Sequence, residues 1–596
     1  MSTSRSTFWH AWMGLAPVAV LAVTLFVPVT ASAVNSFRNW NRMEQLGWSF
    51  DGYLKVIQPH YLKMFFWIAV RAVVVATVSV GLAVPLAYYV TQRSRPWVRR
   101  TLLFAITVPF FVNDSTKAFG WRFVLDHGGF LHRTVKAIGL TADEWQLPGA
   151  IVVGVVLVAN TLPVCVLPIT FCLPRRQDNI WTVCDDFGTS QFSRFYHVVI
   201  PLATKGAVAG WMCAVALAFG ASVEASILER PMEVSLRRVI QDIEATNGFS
   251  APHALGSMIQ FALLFIGVIV ASSNIRRAIS SISSATGKMT TACGAWLTSR
   301  IARTYLKLPR DLRQFISTQR LQLRSESSEH KSQRSPLVWA WLVHFWVAVL
   351  LVAILAPLVA IAARSFSHMS ATTTAGELVS AYTKLASDDR CRLAFWNSAL
   401  LALGVGIAVA PISFMIAFTW WNHVWRKVTV LALVLLAVIP ADVYANSTIS
   451  FARALGMTQG ALVLCGVAHI GWALPFSAAP VFIANSRIGS NLLCSGLEFG
   501  CTRIEVIFRI ILPLIWRALA SSALVGMLFS FNDYARTKHL CGAADTIGEY
   551  VYGKMASGTD TRVFALATVN VSIAVLALGG SLLLMFVGQR LNRSAR

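Results

Sequence analysis

Two stretches of this sequence repeat a spacing that ordinary loops do not. Thr182-Val-Cys-Asp-Asp-Phe-Gly188 is followed by nine residues and then Val198-Val-Ile-Pro201; Cys494-Ser-Gly-Leu-Glu-Phe-Gly500 is followed by nine residues and then Ile510-Ile-Leu-Pro513. Glycine takes a left-handed turn at no steric cost, and proline loses little at the start of a helix. The pattern therefore predicts two short helices meeting at Gly188 and again at Gly500, with Pro201 and Pro513 opening the helix that follows. Phe195 and Val198 in one copy, and Val506 and Phe508 in the other, would give a partner protein apolar surface to bury, and Phe187 and Phe499 precede the two glycines equivalently. Asp185, Asp186 and Glu498 lie beside them. Such residues dock a partner; they break no bonds.

A second set of residues is polar inside apolar runs: Asn113, Asp114, Asn160, Thr161, Asn397, Asn446, Asn532 and Asp533. An ionised carboxylate at the bilayer centre costs about 2.5–3.5 kcal/mol on insertion scales. Asp114 and Asp533 are therefore expected near the outer ends of their helices or facing a water path. There they would line the route of a cationic or polar solute, or serve as an interfacial cap or structural pair. His469 is expected to donate a hydrogen bond between helices rather than to hold a metal. Nothing has catalytic spacing. The twelve histidines are dispersed, and Gly287-Lys288-Met289-Thr290 lacks the first glycine and the immediate Ser/Thr of a phosphate-binding loop. No cofactor or metal is expected on this chain, and ATP would be bound by a separate subunit. The ten cysteines include no Cys-x-x-Cys pair. Cys391 and Cys541 fall in loops expected outside, which leaves a disulfide between them open.

The elements that must carry these residues are membrane helices. Of 596 residues, 56% are hydrophobic and only 13% charged, about half the charge a soluble surface needs. A bilayer core about 30 Å thick takes roughly 20 apolar residues in a helix. Twelve such runs occur, at about 12–34, 64–90, 101–122, 149–172, 203–222, 252–274, 338–362, 394–419, 428–448, 460–484, 515–533 and 562–588. Pro109 and Pro440 are expected to kink the third and ninth. The first run follows Arg5 and contains Ala31-Ser32-Ala33, imitating a signal peptide, yet its apolar part is long for one, so an uncleaved anchor is expected.

The net charge of +24 lies mainly between the runs. Arg93, Arg95, Arg99 and Arg100, the twelve Lys or Arg of 275–336, and Arg590, Arg593 and Arg596 all fall on one side if both termini are cytoplasmic. The opposite side receives Glu224, Glu229, Glu233, Asp242 and Glu244. No aromatic-basic stripe accompanies the charge, which excludes nucleic acid as its reason. The expected fold is all-α: a first half, 1–274, and a second half, 337–596, of about six spans each, joined by the linker 275–336. Part of that linker, Leu297 to Leu323, is either a basic helix on anionic lipid or a solvated connection.

The duplicated segment resembles the EAA loop of type I ABC importer permeases, whose pattern is EAA, three residues, Gly, nine residues, I-x-L-P. The Gly and Pro positions match in both copies, whereas Thr182 and Cys494 stand where the family has its glutamate. Pro109-Phe-Phe-Val-Asn-Asp-Ser-Thr-Lys117-Ala-Phe119-Gly-Trp121 is similar to a stretch of spermidine/putrescine-type permeases, with Lys117 for Arg and Trp121 kept. Gly460 to Pro475 with His469, and Phe529-Ser-Phe-Asn532-Asp533-Tyr534, look like the partner permease of the same system. The resemblance runs from about 64 to 588.

It implies a fused permease in the bacterial inner membrane that is not itself an enzyme. Two copies of a cytoplasmic ATPase would dock on the duplicated segments through Asp185, Asp186, Phe187, Gly188, Phe195, Pro201, Glu498, Phe499, Gly500, Phe508 and Pro513. A periplasmic solute-binding protein would deliver the cargo. Asp114, Lys117, Trp121, Asn160, His469, Asn532 and Asp533 are the expected lining of the path. A polyamine is the first expectation for the cargo, with ferric iron, phosphonate and thiamine importers also known in fused form. The alternative is a secondary transporter of the major facilitator type, although the loop 91–100 lacks that family's Gly-x-x-x-Asp-Arg-x-Gly-Arg pattern.

Overall fold

Hydrocarbon offers the backbone no hydrogen-bond partner, so apolar runs of this length must close their bonds internally as helices. The computed structural model describes residues 19–41, 44–93, 95–125, 129–139, 149–176, 178–187, 189–228, 236–247, 250–271, 337–365, 375–418, 423–457, 462–485, 488, 495–496, 498–502, 505–541, 545–557 and 561–594. The linker 275–336 lies outside the described residues, as do Gly188 and Cys494.

In chain order the helices that matter begin with α1 (Val27–Ser36), α2 (Pro59–Thr91), α3 (Pro96–Thr107), α4 (Asp114–Leu125), α5 (Gly149–Cys172), α6 (Ile200–Phe219), α7 (Val223–Leu228) and α8 (Ser250–Ala271). They continue with α9 (Leu337–Ser365), α10 (Asp389–Phe418), α11 (His423–Val438), α12 (Ala441–Ala454), α13 (Leu462–Asn485), α14 (Leu512–Asn532), α15 (Thr537–Leu540) and α16 (Thr561–Ser594). The exception to helix is a short antiparallel hairpin, β1 (Arg38–Asn41) and β2 (Glu44–Trp48), which pairs Arg38 with Trp48 and Asn41 with Glu44.

Among the described residues nine helices are long and apolar enough to span, or ten if one bent pair counts as a single span. That is fewer than the twelve runs of the sequence. The ninth run is the bent pair: Thr429–Val438 and Ala441–Ala454 meet at 108°. The third is likewise interrupted, by a 3-10 turn at Val108–Phe111 and an extended Val112 before α4 starts. Pro109 and Pro440 therefore do more than kink their helices. Each withdraws a backbone donor and obstructs the preceding turn, and here the helix stops and restarts in a new direction.

The packing repeats. Helices α2, α5 and α6 contact one another pairwise, and so do α10, α13 and α14. Helix α1 packs on α8 and on α12, while α9 packs on α16 and on α4. Each leading helix thus lies against the far part of the broken span in the opposite half. Two contacts fix the crossings. The Tyr444 hydroxyl on α12 donates to the Thr24 carbonyl in the turn leading to α1. Gly120 on α4 lies so near α9 that a Cβ there would stand 2.3 Å from the Pro357 carbonyl oxygen, an approach only glycine permits. Ser32, within the stretch that imitates a cleavage site, is buried in α1.

The disulfide left open between Cys391 and Cys541 is not formed. Cys541 is bonded to Cys465 on α13, and Cys391 is a buried free thiol. Which cysteines meet is set by the packing of α13 against α15, which no spacing along the chain reveals.

Candidate functional site

Two places gather the residues singled out by the sequence: the duplicated segments that lead into α6 and α14, and a cavity at the far ends of those helices. A helix rises about 1.5 Å per residue, so Pro201 and Gly220 stand about 30 Å apart along α6.

In the first duplicated segment, the helix Asn179–Asp186 leads to Phe187, and after Gly188 the chain re-enters helix at Gln191. From there it runs to Phe219 without interruption, as the second copy runs from Val506 to Asn532. Pro201 and Pro513 stand at the second positions of α6 and α14, as the spacing predicts, and each helix is entered without a break from a wide turn, Phe195–Val199 and Val506–Ile511. A proline supplies no N–H to the carbonyl four residues earlier, here His197 and Arg509. A π-type turn spreads that mismatch without breaking the helix. Gly500 has φ +83°, the left-handed conformation its place between helices requires.

Exposure separates the expected docking residues. Phe187 is 80% exposed and Phe499 88%. Phe192 and Phe508 are also exposed, as are Asp185, Asp186 and Glu498. Phe195 and Val506 are corrections. Phe195 is half-buried against Tyr88, with ring centroids 6.0 Å apart, and Val506 is fully buried beside Val481 and Ile511. Val506 therefore offers a partner no surface, whereas Phe195 keeps part of its ring exposed. Large aromatic rings are thus left exposed at equivalent points of the two duplicated segments, the kind of surface that an interaction uses.

The segments are fastened differently. In the first, Tyr88 at the end of α2 sits between Trp181, at 5.8 Å, and Phe195. Arg194 pairs with Asp185, and its Nε donates to the Thr189 carbonyl at 3.0 Å. In the second, Thr502 and Glu505 form a capping box: the Thr502 N–H donates to Glu505 Oε2 at 2.9 Å, and the Glu505 N–H to Thr502 Oγ1 at 3.3 Å. The hydrogen bonds from the Thr502 backbone and hydroxyl hold the exposed Glu505 carboxyl below its usual range.

The cavity measures about 130 Å³ and lies where four helices are interrupted. Its wall includes Val112 and Asp114 from the break before α4, and Ile439, Pro440 and Ala441 from the break before α12. Gly220, Ala221 and Ser222 follow the end of α6, and Asn532, Asp533 and Arg536 follow the end of α14. Broken helices around a central cavity leave backbone and side-chain polar groups facing a solute rather than lipid. Asn113 ties two breaks together: its Oδ1 accepts from the Ser115 N–H at 2.8 Å, and its Nδ2 donates to the Asn532 carbonyl at 2.8 Å.

Of the seven residues expected along the path, Asp114, Lys117, Asn160, Asn532 and Asp533 line this cavity. Trp121 does not; it is buried in an apolar cluster with Val153 and Leu157. His469 is fully buried one layer behind, its Nδ1 2.9 Å from Ser530 Oγ and its Nε2 3.3 Å from Thr537 Oγ1. It links α13 to α14 and α15. Asp114 and Asp533 are the structural pairs that the sequence left open, since Lys117 Nζ reaches Asp114 at 2.8 Å and Arg536 reaches Asp533 at 2.8 Å. The Arg536 guanidinium also lies 4.0 Å over the Trp472 ring. Among the described residues no cluster of side chains could hold a metal.

Glu224, Arg536 and Trp472 also line the cavity, and sequence reasoning did not select them. Glu224 was placed in an outer acidic loop because the hydropathy run ends before it. Instead, a three-residue break turns the chain back and α7 carries Glu224 inward, where it is 6% exposed and accepts from Asn160 Nδ2 at 3.0 Å.

Known proteins can now be set beside this geometry. No family model matches the chain. The spermidine/putrescine transport system permease protein PotB of Escherichia coli (strain K12) is 24% identical over 208 residues, 34% of this chain and 74% of that protein. The PotC homolog of Mycoplasma pneumoniae is 24% identical over 261 residues, 40% of this chain and 88% of its own. PotB of Haemophilus influenzae is 23% identical over 236 residues, 38% and 81% of the two chains. The chain is thus an all-helical, multi-pass membrane protein similar to permeases of polyamine transport systems, with a match to each covering about a third of its length or slightly more.

Proposed function

We propose that this protein is the fused permease of an ATP-driven importer that carries a small polar or cationic solute into the cytoplasm by alternating access. The observation that carries the reading is the pair of exposed phenylalanines, Phe187 and Phe499, presented at equivalent points of two segments that each run into a helix ending at the cavity. Two copies of a nucleotide-hydrolysing subunit would seat on these points, and their closure would move α6 and α14. A solute-binding protein would deliver cargo on the opposite side. The similarity to spermidine/putrescine permeases supports a polyamine as the first cargo to try. Both termini would be cytoplasmic and the membrane the bacterial inner one, as the loop charges favour.

The protein adds no chemistry of its own in this scheme. A partner's hydrolysis shifts the population between two packings of the same helices. The breaks at 112–113, 220–222, 439–440 and 533–536 are where the helices can reorient without unwinding their interiors.

The test is the energy source. Cells expressing the chain with its neighbouring genes are given radiolabelled spermidine, and either ATP or the proton gradient is removed selectively. Accumulation that stops with ATP depletion and survives collapse of the gradient fits the importer. Accumulation that follows the gradient instead would favour a secondary transporter and end this account.

A further inference from the structure

The cavity is unbalanced in charge. Among its lining residues, Asp114 is paired with Lys117 and Asp533 with Arg536, each at 2.8 Å. Glu224 is the third carboxylate. It is 6% exposed, no ion pair joins it among the described residues, and its hydrogen bonds come from neutral donors, Asn160 Nδ2 at 3.0 Å and its own backbone N–H. Those donors fill only part of a carboxylate's acceptor capacity.

A second, independent feature faces the same space from the other half of the chain. Asn532 Nδ2 donates to the Leu528 carbonyl at 3.0 Å, which orients its Oδ1 as the free acceptor. That Oδ1 is buried without a partner. Buried acceptors are normally satisfied, and one that is not, in a cavity wall, calls for a donor that comes and goes. Trp472 and Phe529 add apolar surface to the same wall, the Trp472 ring already lying under the Arg536 guanidinium and Phe529 stacked on Phe476. The donor that suits a charged acceptor and an amide oxygen beside apolar surface is an ammonium group on a short alkyl chain.

We propose that Glu224 is the charge-selecting residue of the translocation cavity, taking the ammonium end of the solute, with Asn532 Oδ1 as a second acceptor from the opposite half. This rests on the reading of the cavity as part of the transport route and adds the residue that sets its preference. Asp114 and Asp533 then act as neutralised structural pairs, and removing either one's charge leaves a cation behind rather than removing a ligand.

The test does not need transport. The full chain in native membranes is treated with a hydrophobic carbodiimide, which couples to protonated buried carboxyls, and labelling of Glu224 is read by peptide mass spectrometry. Putrescine and spermidine should slow that labelling at least several-fold. A neutral diol of the same length and inorganic phosphate should not, and Glu224→Gln should carry no label at that peptide. A label at Glu224 that no amine slows, one that diol or phosphate slows equally, or no label at all would overturn the proposal. A second readout guards against a purely structural role. Glu224→Gln should cut spermidine uptake at least tenfold at unchanged protein level, and Glu224→Asp should restore part of it; equal loss of folded protein in both variants would assign Glu224 to structure. If protection by amines holds while uptake proves independent of ATP, the importer reading fails and the charge-selecting role stands.

Discussion

The two duplicated segments reach the same shape by different chemistry. Each presents a phenylalanine to water, turns, and runs through a wide π-type turn into a long helix ending at the cavity. The first is fastened by rings, with Tyr88 held between Trp181 and Phe195, and by the Arg194–Asp185 pair. In the second, Val506, Ile507 and Ile511 pack beneath it with Phe414 against them, and Thr502–Glu505 caps it. What stays the same is the exposed phenylalanine and the Gly-to-Pro spacing, and what varies is the fastening. Surface that serves a partner is constrained by that partner, whereas packing can be met by many side-chain sets of similar volume.

The comparison breaks most sharply if the exposed rings are removed. Phe187→Ala and Phe499→Ala lose no buried contact, so stability should change by less than about 0.5 kcal/mol. Uptake should nevertheless fall at least tenfold in the double variant, and co-purification of a nucleotide-hydrolysing subunit should fall with it. Equal uptake by the double variant and the parent would remove the basis for treating the segments as docking sites.

The fastenings should respond separately. Tyr88→Ala deletes two ring contacts and should cost about 2 kcal/mol, read as a lower melting temperature in detergent. Thr502→Ala removes a cap and should cost about 1 kcal/mol. Smaller still is the exposed Asp185→Asn, worth under about 1 kcal/mol once solvent screening of its pair is allowed for. Hydrogen exchange should place the first and third changes at Phe195–Val199 and the second at Val506–Ile511. Loosening of both turns by any one substitution would mean that the fastenings are not independent.

Acidification should give the smallest difference. A carboxyl depressed in the folded state contributes stability above its ordinary range and loses it as the pH falls through its folded value. Glu505 is such a group, held down by Thr502. Below the ordinary glutamate range, exchange at Val506–Ile511 should accelerate, and Glu505→Gln should abolish that acceleration.

The duplicated spacing was legible because glycine and proline act through the backbone, and backbone demands survive divergence of side chains. Most spans were legible because a long apolar run in lipid has few alternatives to helix. The interruptions at Val112 and Ile439 were only half legible: Pro109 and Pro440 were visible, but whether a helix bends or stops depends on what can satisfy the freed carbonyls. Glu224 was not legible at all. No hydropathy window distinguishes a chain that leaves the membrane at Gly220 from one that turns back through three residues into the cavity wall. The inward facing of Phe195 and Val506 was missed for a related reason, since Pro201 and Pro513 lie inside continuous helices whose register fixes which side chains point to the core. The bond between Cys465 and Cys541 depends on two helices meeting, and sequence distance carries no information about that.

The central claim is that both phenylalanines touch the same kind of partner. A photoactivatable phenylalanine analogue placed at 187 and, separately, at 499 in the full-length chain tests it in intact cells, with Phe66 on the lipid-facing side of α2 as the control position. The account predicts adducts from 187 and from 499, but not from 66, to a protein that carries a nucleotide-binding G-x-x-x-x-G-K-[ST] loop. Adducts to lipid alone at both cytosolic positions, or capture of that protein from only one of them, would contradict it.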